Sequence, residues 1–220
     1  MLSNIPSSEI APIMGPEYSS ADFAPVNLNK DHLAKVGVAS QEDLGAYLLK
    51  TASEKAAKWL TGGYIEHRAL YQSNLFLGNE EDVRDIHLGI DIWGKVNAPI
   101  YAPYDGRIHS FAYNGGELDY GYTLILEHEL NESLFYSLYG HLSSSHFEKW
   151  SVGNQFKAGD EIANIGDTDE NGGWIPHLHF QIILDLEGEE GDYPGVCAKK
   201  DLPHYRLNCP DPSTLIKKAS

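Results

Sequence analysis

The amino-acid sequence predicts a mainly β fold, α+β overall, in which one amphipathic helix precedes a domain of antiparallel strands. Three observations carry this expectation. Leu44, Leu48, Ala52, Ala56 and Leu60 recur every fourth residue, the spacing of one face of a helix. Beyond about residue 85 the period changes to two, the spacing of strands with one face in a core. Turn signals, namely Asp105-Gly106, Asn114-Gly115-Gly116, Gly159-Asp160 and Asn171-Gly172-Gly173, separate these runs, and short strands so spaced build an antiparallel domain.

Taken in order, residues 1–39 are rich in Pro, Ser and Asn and read as an extended arm, broken by a short helix in "KDHLAKV". Residues 40–84 are a helical lead-in: Ser40 with Asp43 resembles a helix start, and Gly62 and Gly63 are expected to stop the helix, giving a span of about 41–61. Residues 85–195 form the β domain, with strands in "RIHSFAY", "YTLILEHE", "LFYSLYGH", "EIANIG" and "HLHFQIILD". Residues 196–220 are a tail packing on it. The run "DLEGEEGD" reads as a solvated acidic loop in preference to a calcium site.

With 220 residues the chain supports one sizeable domain, and a formal net charge of −16 opposes binding to phosphate backbones or anionic lipid. No nucleic-acid or membrane role is expected, no window is long and apolar enough for a membrane span, and composition says nothing of oligomeric state. The first twenty residues lack a basic start and an unbroken apolar core, so the chain reads as cytoplasmic; an exported protein from which the signal has been removed reads the same. Cys197 and Cys209 read as free thiols or packing residues in a reducing compartment, with a disulfide the lesser alternative.

Chemistry concentrates in two clusters. In "HLHFQIIL" Leu178, Phe180, Ile182 and Leu184 fit a core, which places His177, His179 and Gln181 together on the opposite face. Same-face neighbours lie roughly 6–7 Å apart along a strand, so one imidazole can bind an ion while the next sits beside its open position. Alone, the pair fits plain polar surface equally well. The second cluster is "DIHLGIDIWG", with His87 and Asp91. Four residues of straight strand would separate these by about 13 Å, too far for one ion with bonds of about 2 Å. A break at Gly89 is therefore expected, and a straight strand there would exclude a shared metal. His141, in "LYGHLS", follows a strand and a glycine where the chain turns. Hydrolysis of an amide needs a Lewis acid, an activated water and groups that move protons and stabilise an oxyanion.

H-x3-D, then the histidine of "LYGHLS", then H-x-H, in that order, resemble the M23 family of zinc metallopeptidases, the lysostaphin and LytM type. "APIYAPYDGRIHSFA" and "VGNQFKAGDEIANIGDTDENGG" resemble the family's text between these motifs, so the likeness covers about residues 85–185. It implies a twisted antiparallel sheet with a groove, a zinc ion held by His87, Asp91 and His179, His177 as base or proton shuttle, and His141 orienting or stabilising the tetrahedral intermediate. It also implies a metalloendopeptidase acting on short flexible peptides containing glycine or D-amino acids, of the peptidoglycan cross-link type. The flanks "GGYIEHRALYQSNLF", "GDYPGVC" and "NCPDPS" resemble the M23-like segment of multidomain proteins that also hold a kinase-like domain and a class III aminotransferase.

Other readings stand beside this one. M23-like domains that have lost ligands act as regulators of other hydrolases, whereas all five site residues are present here. "FKAGDEIANIG" faintly resembles a biotinyl or lipoyl carrier turn but lacks the lysine-tipped hairpin. Two histidines and an aspartate also suit cobalt, nickel or manganese. His32, His67, His109, His128, His146 and His204 read as surface or capping residues, and Trp93 and Trp174 as groove wall or core. Arg68 and Tyr71 read as groove lining or packing. The arm is a candidate lid over the groove.

Overall fold

A computed structural model describes residues 9–68 and 82–216. Its strands are β1 (Phe23–Pro25), β2 (Trp59–Gly62), β3 (Glu66–His67), β4 (Arg84–His87), β5 (Ile90–Trp93), β6 (Pro99–Tyr101), β7 (Gly106–Asn114), β8 (Gly121–Leu130), β9 (Ser133–Leu142), β10 (Gln155–Phe156), β11 (Glu161–Asn164), β12 (His177–Ile183) and β13 (Val196–Ala198). The helices are α1 (Lys30–Val36), α2 (Gln41–Lys55) and α3 (Leu202–Asn208). None among the described residues is long and apolar enough to cross a membrane. Tyr71 lies outside the described residues.

A large twisted sheet runs in the order β1-β2-β5-β12-β9-β8-β7-β10. Its strands pair antiparallel except at one edge, where β1 runs parallel to β2, so the sheet is mixed. A three-stranded sheet, β13-β4-β3, stands beside it, and β6 pairs with β11 in a third. The period-two pattern sorts side chains as the sequence requires. Leu178, Phe180 and Ile182 of β12 join Leu124, Leu126, Phe135 and Tyr139 in the main core, while Ile125, Leu138 and Ile183 face the other way. Ile10, Ile13 and Met14 of the N-terminal arm are buried in that main core, behind the sheet face that carries the histidines. No described residue of the arm lines the groove.

The helix α2 begins where expected: Ser40 Oγ accepts from the Asp43 N–H at 3.1 Å, and the Asp43 carboxylate accepts from the Ala39 N–H at 3.1 Å. It ends at Lys55, six residues before the expected stop at 61. Ala56 turns left-handed at φ 50°, its N–H reaching back to Ala52 and Ser53. Trp59 and Leu60 then bury themselves in β2 against β5, with Leu60 opposite Trp93. The four-residue spacing of Leu60 is thus an accident; a strand partner distant in sequence overrides the helical pattern, and Gly62 and Gly63 end a strand instead.

The break at Gly89 is present, and its cause is topological. The chain leaves the three-stranded sheet after His87 and enters the large sheet at Ile90, so it crosses between sheets through Leu88 and Gly89. Gly89 is packed so closely that an added Cβ would lie 2.7 Å from the His179 ring and from the Phe180 carbonyl oxygen.

Candidate metal centre in an aromatic groove

The crossing at Gly89 folds His87 back over Asp91. In the large sheet Asp91 of β5 pairs directly with His179 of β12, and His177 pairs with Trp93. Directly paired residues hold their side chains side by side on one face. The three groups meet: His87 Nε2 lies 2.9 Å from His179 Nδ1 and 3.2 Å from Asp91 Oδ1, and His179 Nδ1 lies 3.0 Å from Asp91 Oδ1. An ion with tetrahedral bonds of 2.0–2.1 Å holds its ligand atoms about 3.3 Å apart, so the cluster has the size and the nitrogen and oxygen donors of a zinc site. Among the described residues it is the one group of three or more such side chains that can hold a metal ion.

All three side chains are buried. The Gly63 carbonyl, 3.2 Å from His87 Nδ1, accepts its proton and turns Nε2 to the cluster. Burial and the charge of Arg68 push the His87 imidazole down to about 4, against the pull of Asp91. Burial also opposes a charge on Asp91, yet the positive charge facing it, from His87 when protonated and from Arg68, holds its carboxyl well below the usual range. Arg68, itself 2% exposed, hydrogen-bonds Asp91 Oδ2 through Nη1 and Glu66 Oε2 through Nε at 3.0 Å. Glu66 accepts in turn from the Leu28 N–H at 2.8 Å. Arg68 therefore occupies the second oxygen of Asp91 and leaves Oδ1 to the cluster.

His177 and His141 sit next to it, their ring centroids 4.3 Å apart. Their Nδ1 atoms lie 2.7 Å from the Ile175 carbonyl and 2.9 Å from the Asn171 carbonyl respectively. A carbonyl only accepts, so each Nδ1 carries the proton and each Nε2 keeps its lone pair. Burial lowers the His177 imidazole, partly offset by Asp91; burial and then the neighbouring His177 and His179 hold His141 well below the usual range. Both are neutral bases at neutral pH.

The sequence places His141 where the chain turns; it lies instead inside β9, with left-handed backbone at φ 63°. Thr123 of β8 is left facing both Gly140 and His141, a bulge that points the imidazole into the groove. The His141 N–H donates to the Tyr120 carbonyl at 2.8 Å. Asn171, whose side chain accepts from the Trp174 N–H and donates to the Trp174 carbonyl, both at 3.0 Å, fixes the turn that presents its carbonyl to His141.

These groups open on a groove of about 400 Å³. Trp93 stacks on His177 at 5.3 Å, and Trp174 meets His141 edge-on at 6.1 Å. Both tryptophans are groove wall, and Trp93 is also part of the core formed by α1, α2 and β2. Gln41 and Leu44, at the start of α2, close one side. The loop 187–195 with Tyr193, and the β7–β8 loop with Tyr120, close the other.

Sequence reasoning missed the roles of Gly63, Tyr120 and Gln181, and for Arg68 it offered a place in the groove lining but not the bond to Asp91. Only Gln181 had a local signal, since it shares the strand face of His177 and His179. The other histidines lie away from the cluster. His32 meets Tyr47, His67 Asp85, His109 Ser110, His146 Glu161 and His204 Glu187. His128 is a correction to the surface reading: it is buried between the Asp105 carbonyl at 2.8 Å and Ser137 Oγ at 2.7 Å. Both cysteines are buried and free.

Residues 85–190 match the model of peptidase family M23. No curated protein matches the chain. Among solved structures, the chain is similar to a zinc-containing peptidase from Vibrio cholerae, at 30% identity and TM-score 0.36 over 44% of this chain and 27% of that one. It is similar to the catalytic domain of lysostaphin from Staphylococcus simulans, at 21% identity and TM-score 0.37 over 56% of this chain and 80% of that one. LytU is 28% identical with TM-score 0.38, over 64% of this chain and 81% of that one. The aligned part thus spans about a quarter of the Vibrio peptidase and about four fifths of the other two chains.

Proposed function

We propose that the M23 domain at residues 85–190 makes this chain a zinc-dependent endopeptidase in which His87, Asp91 and His179 hold one ion and His177 and His141 handle protons. The carrying observation is the convergence of His87 Nε2, Asp91 Oδ1 and His179 Nδ1 within 2.9–3.2 Å of one another beside two neutral imidazoles. Bound zinc would supply a Lewis acid and lower the pKa of water in its open position.

The chain's own residues account for the rest. Because Arg68 engages Oδ2, Asp91 offers a single oxygen and does not close the open position with its second. His177 Nε2 carries a lone pair and lies 3.8 Å from Asp91 Oδ2, placed to take a proton from water at the cluster and to hold it. His177 Nε2 then returns that proton to the leaving amine, and His141, its ring centroid 4.3 Å from that of His177, helps orient the tetrahedral intermediate. Trp93, Trp174 and Tyr120 wall off solvent, which strengthens every charge interaction inside.

The preferred substrates are short flexible peptides with glycine or D-amino acids, of peptidoglycan cross-link type, a class supported by the M23 match. A metal-binding regulatory module is the alternative; the presence of all five site residues in mutual reach favours the enzyme. The flanks resembling the M23-like segment of aminotransferase-containing proteins carry no substrate of their own.

The test is mass spectrometry of products after zinc-loaded protein is incubated with cross-linked muropeptides and oligoglycines. Defined products that vanish in His177→Ala establish the peptidase and its bond. Zinc binding without cleavage of any peptide in the panel would favour the regulatory module.

A further inference from the structure

We propose that Gln181 is the positioning residue of the centre: it fixes the tautomer of His179, so that the bare nitrogen of that ring is the one turned toward His87 and Asp91. The inference rests on the reading of those three residues as a metal site.

Gln181 is fully buried on β12, two residues beyond His179 and on the same face. Its amide has two distinguishable ends, and the neighbours settle which way it points. One end lies 3.1 Å from the Pro194 carbonyl oxygen and 3.4 Å from Cys209 Sγ. A proline carbonyl only accepts, so that end is the NH2 group. The other end, Oε1, then faces His179 Nε2 at 3.0 Å. An amide oxygen only accepts, so Nε2 must carry the hydrogen. A neutral imidazole has one N–H, and Nδ1 is left with its lone pair toward Asp91 Oδ1.

The Tyr120 hydroxyl lies 3.4 Å from Nε2, a longer contact from a group that either donates or accepts. On the inner side, the bare His87 Nε2 at 2.9 Å and Asp91 Oδ1 at 3.0 Å would both favour a proton on Nδ1, the wrong tautomer for a ligand. Gln181 opposes that pull. The absence of a side chain at Gly89, where a Cβ would come within 2.7 Å of His179 Cε1 and Nε2, leaves the ring its place against β4–β5. A carboxylate in the position of Gln181 would accept from Nε2 equally well, but it would face the Pro194 carbonyl with no donor and add a buried negative charge. The amide does both jobs while staying neutral.

The test reads the tautomer directly, in metal-free full-length protein with 15N-labelled histidine, by two-bond 1H–15N correlation of the His179 ring. The expected wild-type spectrum shows protonated Nε2 and bare Nδ1; a protonated Nδ1 overturns the proposal whatever any variant does. In Gln181→Leu the two nitrogen shifts should move toward each other, and zinc affinity measured by chelator competition should fall by about 10- to 100-fold, the usual effect of losing a ligand's outer partner. Gln181→Glu should keep the Nε2–H tautomer, which a purely space-filling role for residue 181 does not require. A folded Gln181→Leu with unchanged tautomer and unchanged zinc affinity overturns the proposal. Wild-type protein that shows the expected tautomer and its expected response but binds no zinc removes the metal reading and leaves the positioning role of Gln181 intact.

Discussion

Replacing Arg68 by methionine removes a buried charge while keeping most of the side-chain volume. Arg68 and Asp91 are 2% and 3% exposed at their side chains, and removing one partner of such a pair costs about 3–5 kcal/mol because the other charge stays behind. A second route gives a similar figure. Without Arg68, one compensation for Asp91 is a proton on His87, 3.2 Å away, whose imidazole sits at about 4; protonating such a group at pH 7 costs about 4 kcal/mol at 1.4 kcal/mol per unit. That is a ceiling, since the loss of Arg68 itself raises His87. Glu66, 12% exposed and still held by the Leu28 N–H, adds less. The expected loss is therefore about 3 kcal/mol in metal-free protein, a large part of the 5–15 kcal/mol typical of a domain. The sign with pH follows. Asp91 titrates below its unfolded value, so its contribution to wild-type stability is present above about pH 4 and lost below it. In the variant, falling pH supplies the missing proton at lower cost, so the gap between the two proteins should narrow from pH 7.5 toward pH 5. Urea unfolding followed by tryptophan fluorescence, with chelator present, measures it. A gap below 1 kcal/mol at pH 7.5, or one that widens as pH falls, refutes the account of Arg68 as the buried counter-charge.

Three further outcomes are expected. Gly89→Ala, whose Cβ would meet the His179 ring and the Phe180 carbonyl at 2.7 Å, should lose about 1–3 kcal/mol and at least tenfold in zinc affinity by calorimetric titration; affinity within twofold of wild type would sink the packing argument. His128, pushed down to about 4 by burial, stays neutral in the fold while the unfolded chain gains a proton near pH 6.5. Stability should thus fall between pH 6.5 and 4, by up to about 3 kcal/mol from this residue, and the urea-derived profile of His128→Phe should be flatter over that window; equal slopes would contradict it. Deleting residues 1–28 removes Ile10, Ile13, Met14, Val26 and Leu28 from the core, at about 1.5–3 kcal/mol each. Circular dichroism should show loss of cooperative melting, whereas unchanged melting with faster turnover would restore the arm as a lid.

The strands were legible because β8, β9 and β12 bury alternate residues on chemically distinct faces, so the period of two survives in the letters. The break at Gly89 was legible from geometry alone, since His87 and Asp91 cannot share a site across straight strand. What stayed hidden depends on partners far along the chain. The end of α2 at Lys55 is set by the pairing of Leu60 with Trp93, and residues 57–60 carry no breaker that announces it. The bulge at His141 leaves no mark either: its positive φ follows from the register of β8 against β9 and from the Tyr120 carbonyl. Arg68 reads as groove lining or packing, but its role as counter-charge is hidden until the fold brings Asp91 and Glu66 to it. The family match begins at residue 85, yet Gln41, Gly63 and Arg68 contribute to the groove or to its ligands.

The crossing at Gly89 gives the centre a mechanical character. His87 belongs to the three-stranded sheet, and Asp91 and His179 belong to the eight-stranded one. An ion held by all three is a rivet through two plates that the chain itself joins by only Leu88 and Gly89 at this point. Loading the site should then stiffen the seam more than either plate, so that amide hydrogens of β4 and β13 slow their exchange on zinc binding while those of β8 and β9, deep within one plate, barely change. Emptying it would let the plates work against each other, and the groove would lose its shape before the protein loses its fold.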